Sequence, residues 1–198
     1  MFTISYTLIG ISMFFVAALV FGAWLRSHRT KENAERSSRV MHFLFFAGLI
    51  APPLIGIFYP GLTNLDALLS LPSLPFKPFF LALGIILAIP GLYFLAVTNK
   101  LLRALGSGTN AFILTKKIVD DDIYKRTRNP MSLGFYLFAL ALGFASNSTF
   151  VLLAVSLGLI PAHAFFLKYF EEFELELRFG AEYLEYKKIV PFLFPKIG

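Results

Sequence analysis

Long apolar runs separated by short polar stretches organise this chain, and their lengths suit helices that cross a bilayer. A hydrocarbon core about 30 Å thick needs about 20 helical residues. Residues Phe2 to Leu25 meet that requirement without a charge before Arg26. Val40 to Tyr59 and Phe79 to Thr98 form the second and third runs. Ser132 to Ser146 is shorter, Asn147-Ser148 is a turn signal, and Thr149 to Tyr169 is long again. The short and long runs read as a helical hairpin that crosses and returns. The pattern predicts an all-α, polytopic integral membrane protein with five transmembrane helices, over about 2–25, 40–59, 79–98, 132–146 and 149–169. Residues 1–198 read as one membrane domain.

The polar stretches predict the rest of the layout. Arg26 to Arg39 reads as a hydrophilic loop and Pro60 to Pro78 as a proline-rich one. Asn99 to Met131 is the longest polar segment, and Glu171 onward reads as an amphipathic, charged tail. Pro52-Pro53 and Pro90-Gly91 fall inside the second and third runs, where each proline removes a backbone donor. Within a bilayer the freed carbonyls need partners from neighbouring protein or water, so both sites are expected to be packing kinks. The first run is not read as a signal peptide, because no basic residue precedes it and it is too long for an h-region. Trp24 is expected at the membrane interface.

Composition sharpens the membrane reading. Hydrophobic residues make up 57% and charged residues 15%, where a soluble domain has about a quarter charged. Mean hydropathy is +0.71. Cysteine is absent, which excludes disulfides, thiolate metal sites and cysteine nucleophiles. A net charge of +6 would suit a nucleic-acid partner, but the placement of the charge argues against one. Of the 18 Lys and Arg, five lie in Arg26–Arg39, seven in Asn99–Met131 and five from Lys168 onward. Lys77 alone falls on the other side of a five-crossing topology. Positive-inside bias then puts the three cationic segments in the cytoplasm, beside anionic lipid, and the N-terminus outside. No basic-aromatic surface is left for nucleic acid.

Chemistry concentrates in Ile118 to Gly134, IVDDDIYKRTRNPMSLG, and in Glu171-Glu172. Asp120 to Asp122 reads as a solvated turn, with Asp122 as a cap. Pro130 suits the first position of a helix, which puts Arg128 at its positive end. A carboxylate following directly on an apolar span is costly unless paired or facing water, and it is apt for holding a cationic group. His163, inside the last run, reads either as functional or as a hydrogen-bonded packing residue. His28 and His42 suggest only the interface, and Gly106-Ser107-Gly108 reads as a flexible loop. No Ser-His-Asp set, phosphate loop or spaced metal cluster is legible.

Tyr124, then Arg128-Asn129-Pro130-Met131 and Gly134, then Glu171-Glu172 and FGAEYLEYKKIVPFLFP, together resemble the isoprenylcysteine carboxyl methyltransferase family. The related phospholipid methyltransferases share this signature. The resemblance covers about the last hundred residues closely. It implies an integral-membrane methyltransferase using S-adenosylmethionine, with a separate lipid-facing entrance for a lipophilic or prenylated substrate. Carried over by position, it assigns cofactor contacts to Lys116, Lys117, Ile118, Val119, Tyr124, Arg128, Asn129, Pro130, Met131, Ser132, Glu171 and Glu172. Arg128, Asn129 and Glu171 would act in catalysis. The family usually has His where this chain has Asn129, and commonly Tyr where it has Ser132. The prenylcysteine enzymes carry Arg where this chain has Leu167, so cofactor binding is better supported than a prenylcysteine substrate. Two other functions fit the pattern: an NADPH-dependent sterol-type reductase and a catalytically silent membrane scaffold.

Overall fold

A computed structural model describes residues 1–105 and 114–196. The Gly106-Ser107-Gly108 stretch lies outside the described residues. Helices α1 (Phe2–Ser27), α2 (Lys31–Phe58), α4 (Lys77–Leu105) and α6 (Thr149–Phe179) are long and apolar enough to cross a bilayer. Helix α5 (Pro130–Ala145) is apolar but shorter. Short helices α3 (Leu62–Leu68) and α7 (Ala181–Ile189) complete the set, and the described residues form no strand. The chain is a polytopic, all-helical membrane protein, with α5 and α6 as the hairpin that the turn at Asn147-Ser148 predicts.

Three boundaries differ from the sequence reading, each for a physical reason. Most of the expected Arg26–Arg39 loop is helix: α2 starts at Lys31, where the Thr30 hydroxyl accepts from the Asn33 amide at 3.1 Å. Its first turns are polar outside but bury Ala34, Ser37, Ser38 and Met41. Helix α6 runs ten residues past Tyr169, to Phe179, because its charges find partners nearby. The proline-rich loop holds α3, which delivers Asp66 to the start of α6. There Asp66 accepts from Ser148 Oγ (3.1 Å) and from the amides of Thr149 (2.8 Å) and Phe150 (2.7 Å).

The proline pair leaves α2 continuous. The helix widens into a π turn over Phe46–Ile50 and resumes at Ala51. The Tyr6 hydroxyl of α1 donates to the Ala47 carbonyl at 2.7 Å, supplying the partner that the imino nitrogens cannot. Pro90 sits inside α4, whose main partner is α5. The two backbones touch: a methyl built on Gly134 would come within 2.9 Å of the Gly91 carbonyl oxygen. Such small-residue contacts substitute for the hydrophobic drive that lipid cannot provide.

The core lies where α1, α2, α5 and α6 meet, around Phe14, Leu25, Met41, Tyr136, Phe166 and Phe170. Contacts define two ends of the bundle. Thr3 of α1 donates to the Tyr59 carbonyl at one end, near α3 and the start of α6. At the other, Arg26 donates to the Tyr169 carbonyl at 2.7 Å and lies over the Tyr169 ring. That second end gathers the cationic segments.

Candidate active site

The cation-rich end is assembled by the C-terminal tail closing on the segment before α5. Asp121 accepts from the Asp122 amide and opens a 3-10 turn over Asp122–Lys125, so Asp121, not Asp122, is the cap. The tail then runs beside residues 126–129. The Arg128 amide donates to the Pro191 carbonyl (3.0 Å), and the Lys196 amide donates to the Arg126 carbonyl (3.0 Å). Thr127 Oγ1 donates to the Leu193 carbonyl (2.8 Å), and the Tyr186 hydroxyl to the Tyr124 carbonyl (2.8 Å). Asn129 belongs to the same clamp: its Nδ2 donates to the Phe192 carbonyl at 2.8 Å. Asn129 therefore holds the tail at the N-terminus of α5 without capping the helix with its own side chain.

Ion pairing sets the second layer. Glu172 is buried and bonded to three cations: Arg128 Nη2 at 2.9 Å, Lys168 Nζ at 3.1 Å and Lys187 Nζ at 2.8 Å. Lys187 also reaches Glu176 at 2.8 Å. Partial burial pulls the Lys187 ammonium down, but its two carboxylates outweigh that and leave it above its ordinary value. Arg178, equally buried, pairs with Glu174 at 2.9 Å and donates to the Thr115 carbonyl. Helix α6 thus ends as a braced unit. Gly180, at φ 58°, turns the chain into α7.

Between Arg128 and Glu172 on one side and α2 on the other lies a cavity of about 230 Å³. Its polar wall includes Tyr124, Arg128, Glu171 and Arg178, and its apolar wall includes Met41, Phe45, Phe135 and Phe166. A π turn over Leu167–Glu171 changes the helical register here, so adjacent glutamates part company. Glu172 turns to the ion pairs, whereas Glu171 faces the cavity, with no hydrogen bond or ion pair to its carboxylate among the described residues. Arg128 is similarly half-used: its Nε and Nη1 are buried without a hydrogen-bond partner. Burial pushes the Tyr124, Tyr183 and Tyr186 phenols upward, so they stay protonated donors.

Most of the residues singled out from sequence converge on this cavity. Lys117, Ile118, Val119, Tyr124, Arg128, Asn129, Pro130, Met131, Ser132 and Glu171 line it. Lys116 faces a neighbouring groove, and Glu172 braces Arg128 from behind. Other lining residues carry less signal in the sequence, His42 and Arg178 among them. His42 falls in the second apolar run and suggests only the interface, and Arg178 resembles any other tail cation. His163 reaches the cavity from within α6, sharing a 2.9 Å hydrogen bond with the Tyr136 hydroxyl through Nδ1. Its position facing Tyr136 one helix away gives no sequence signal.

Fold and site together define a polytopic helical membrane protein with a polar-walled cavity at one end of its bundle. A family model described as phospholipid methyltransferase matches residues 79–182, more than half of the chain, and the chain belongs to that family of membrane methyltransferases. The match runs from α4 to the start of α7 and includes Arg128, Glu171 and Glu172. No curated protein and no solved structure matches the chain.

Proposed function

We propose that this protein transfers a methyl group from S-adenosylmethionine to a lipophilic acceptor drawn from the bilayer, and that the reaction takes place in the Arg128–Glu171 cavity. The observation that carries the reading is a basic and an acidic side chain that line one space with bonding capacity left over. Arg128 Nε and Nη1 are buried donors without partners, and the Glu171 carboxylate is an acceptor without a donor. Buried polar groups are nearly always paired, and unpaired ones at a cavity wall fit a ligand bearing both charges. S-adenosylmethionine carries a carboxylate beside an ammonium and two ribose hydroxyls. Arg128 would hold the carboxylate, Glu171 the ammonium or the hydroxyls, and the Tyr124 phenol would donate. Lys117, Ile118 and Val119 lie along the same wall.

When bound, that cofactor supplies an electrophilic methyl on a sulfonium, which leaves as a neutral thioether after in-line attack. The chain's own contribution is positioning and dryness. Arg128 is fixed through its side chain by Glu172 and through its amide by the tail, so it is in place at the cavity wall before any ligand arrives. Phe45, Phe135 and Phe166 keep water from the inner wall. Orientation of this kind is worth up to about 7–11 kcal/mol. The raised phenols provide no phenolate base. A carboxylate acceptor would need no base, whereas an amine acceptor would have to arrive neutral. Positive-inside bias puts the cavity end in the cytoplasm.

The test is calorimetric titration of the purified protein with S-adenosylmethionine and, separately, with NADPH. Binding of S-adenosylmethionine alone is expected. Binding of NADPH alone would replace this reading with the reductase, and binding of neither with the silent scaffold.

A further inference from the structure

Helix α1 contributes no residue to the cavity wall among the described residues, yet it grips the turn that carries Glu171. Tyr169 stands in the middle of the Leu167–Glu171 π turn and lies in a socket on α1. Gly22 forms the floor of that socket. A Cβ built there would come within 2.6 Å of Tyr169 Cδ1 and Cε1, so only glycine lets the ring rest on the α1 backbone. Arg26, one turn on, forms the cover. Its guanidinium lies 4.0 Å from the Tyr169 ring centroid and 4.8 Å from that of Phe173. Nη1 donates to the Gly22 carbonyl and Nη2 to the Tyr169 carbonyl, both at 2.7 Å. A flat, forked cation can bridge two carbonyls while stacked on a ring. A side chain inserted into the helical ladder is one of the few causes of a break in its regularity, and this donor falls inside the π turn. Glu171 follows Tyr169 by two residues, about 200° round a helix. Seating Tyr169 against α1 therefore turns Glu171 away from α1, to the side where the cavity lies.

We infer that Gly22 and Arg26 are positioning residues for Glu171: the socket they form for Tyr169 holds the π turn in register and keeps the Glu171 carboxylate at the cavity wall. Neither residue lines the cavity, so both act through Glu171 alone. The ion pairs of Glu172 fix only the far end of the turn. With the socket lost, the turn is free to close into an uninterrupted helix, which rotates position 171 relative to the wall by about 100°. The consequence for cofactor affinity rests on the function proposed above; the placement of Glu171 does not.

The sequence contains no cysteine, so a single introduced thiol reports on one position. Glu171→Cys is labelled with a small methanethiosulfonate reagent in the full chain in detergent, alone and combined with Gly22→Ala, Arg26→Met or Tyr169→Ala. Each of the three should slow labelling about tenfold, since thiol reactivity follows exposure. Ser132→Cys, on the wall of the same cavity but carried by α5, is the reference and should label at one rate in all four backgrounds. Undiminished labelling at position 171 in both Gly22→Ala and Arg26→Met would overturn the inference. So would an equal change at position 132, which would mean a general disturbance of the cavity. Calorimetry with S-adenosylmethionine supplies the ligand readout. Gly22→Ala and Arg26→Met should each weaken binding about tenfold in protein with Glu171 and not at all in protein with Glu171→Gln, because effects routed through one side chain do not add. Additive losses would make the socket a support for the bundle at large and overturn the positioning role. Absence of binding by wild type sinks the proposed reaction, and the labelling contrast between positions 171 and 132 still decides the socket.

Discussion

Two acidic side chains, Asp66 and Glu171, sit at opposite ends of the same bundle and are treated in opposite ways. Asp66 is 5% exposed and accepts from a hydroxyl and two amides, which together cap α6. Glu171 faces a cavity and accepts from nothing among the described residues. The contrast extends to their surroundings. Of the four buried polar atoms without partners among the described residues, three belong to Arg128 and Arg178 at the cavity end, and one is Asn147 Oδ1 at the other. A satisfied buried carboxylate serves architecture, and one left open toward a cavity is available to a ligand. Stability and ligand affinity should therefore respond separately to mutations at the two ends.

Arg128→Ala should have the largest effect, because Arg128 serves both purposes. It leaves Glu172 with two of its three cations, and the loss of one charged hydrogen bond costs about 1.5–3 kcal/mol. It should also weaken S-adenosylmethionine binding more than tenfold. Thermal unfolding in detergent and calorimetry read the two losses. Asp66→Ala should cost about 3 kcal/mol by removing a charged acceptor and a helix cap, with cofactor affinity in the folded fraction unchanged. An affinity change there would mean that the two ends are coupled.

Glu171→Gln should do the reverse. Cofactor affinity should fall more than tenfold, or about 1.4 kcal/mol, while unfolding is unchanged or improved. A stability loss without an affinity loss would make Glu171 architectural and end the contrast. Asn129→Ala should cost about 1 kcal/mol by freeing the Phe192 carbonyl, read as faster proteolysis of the tail. The smallest effect is that of pH. Lys187 titrates above its ordinary value in the folded state, so its contribution is complete below about pH 10.4. It should be lost only as the pH rises through the raised value. Tail protection from proteolysis should accordingly be flat from about pH 6 to 9.

The bundle was legible because bilayer spans are long and uniformly apolar; α1, α4 and the α5–α6 hairpin follow directly from run length and the Asn147-Ser148 turn. What escaped was helix made of polar residues. The first turns of α2 look like loop because their charges lie on an exposed outer face, and the last turns of α6 look like tail because their charges are neutralised by partners far along the chain, such as Lys187 with Glu172. The site was legible as a set of residues through Arg128, Asn129 and Glu171, but its division of labour was not. Nothing in the letters Glu171-Glu172 tells which one turns inward, and Asn129 reads as a failed family position until the tail carbonyl is seen beside it. His42 and Arg178 line the cavity only because the chain folds them there.

The π turn at Leu167–Glu171 makes α6 hold one residue more than an uninterrupted helix of the same rise. Its removal would be costly. Deleting one residue from that turn would rotate everything C-terminal to it by about 100° relative to the preceding helix. The Glu172 position would swing off its three cations, and Arg178 would leave the groove wall.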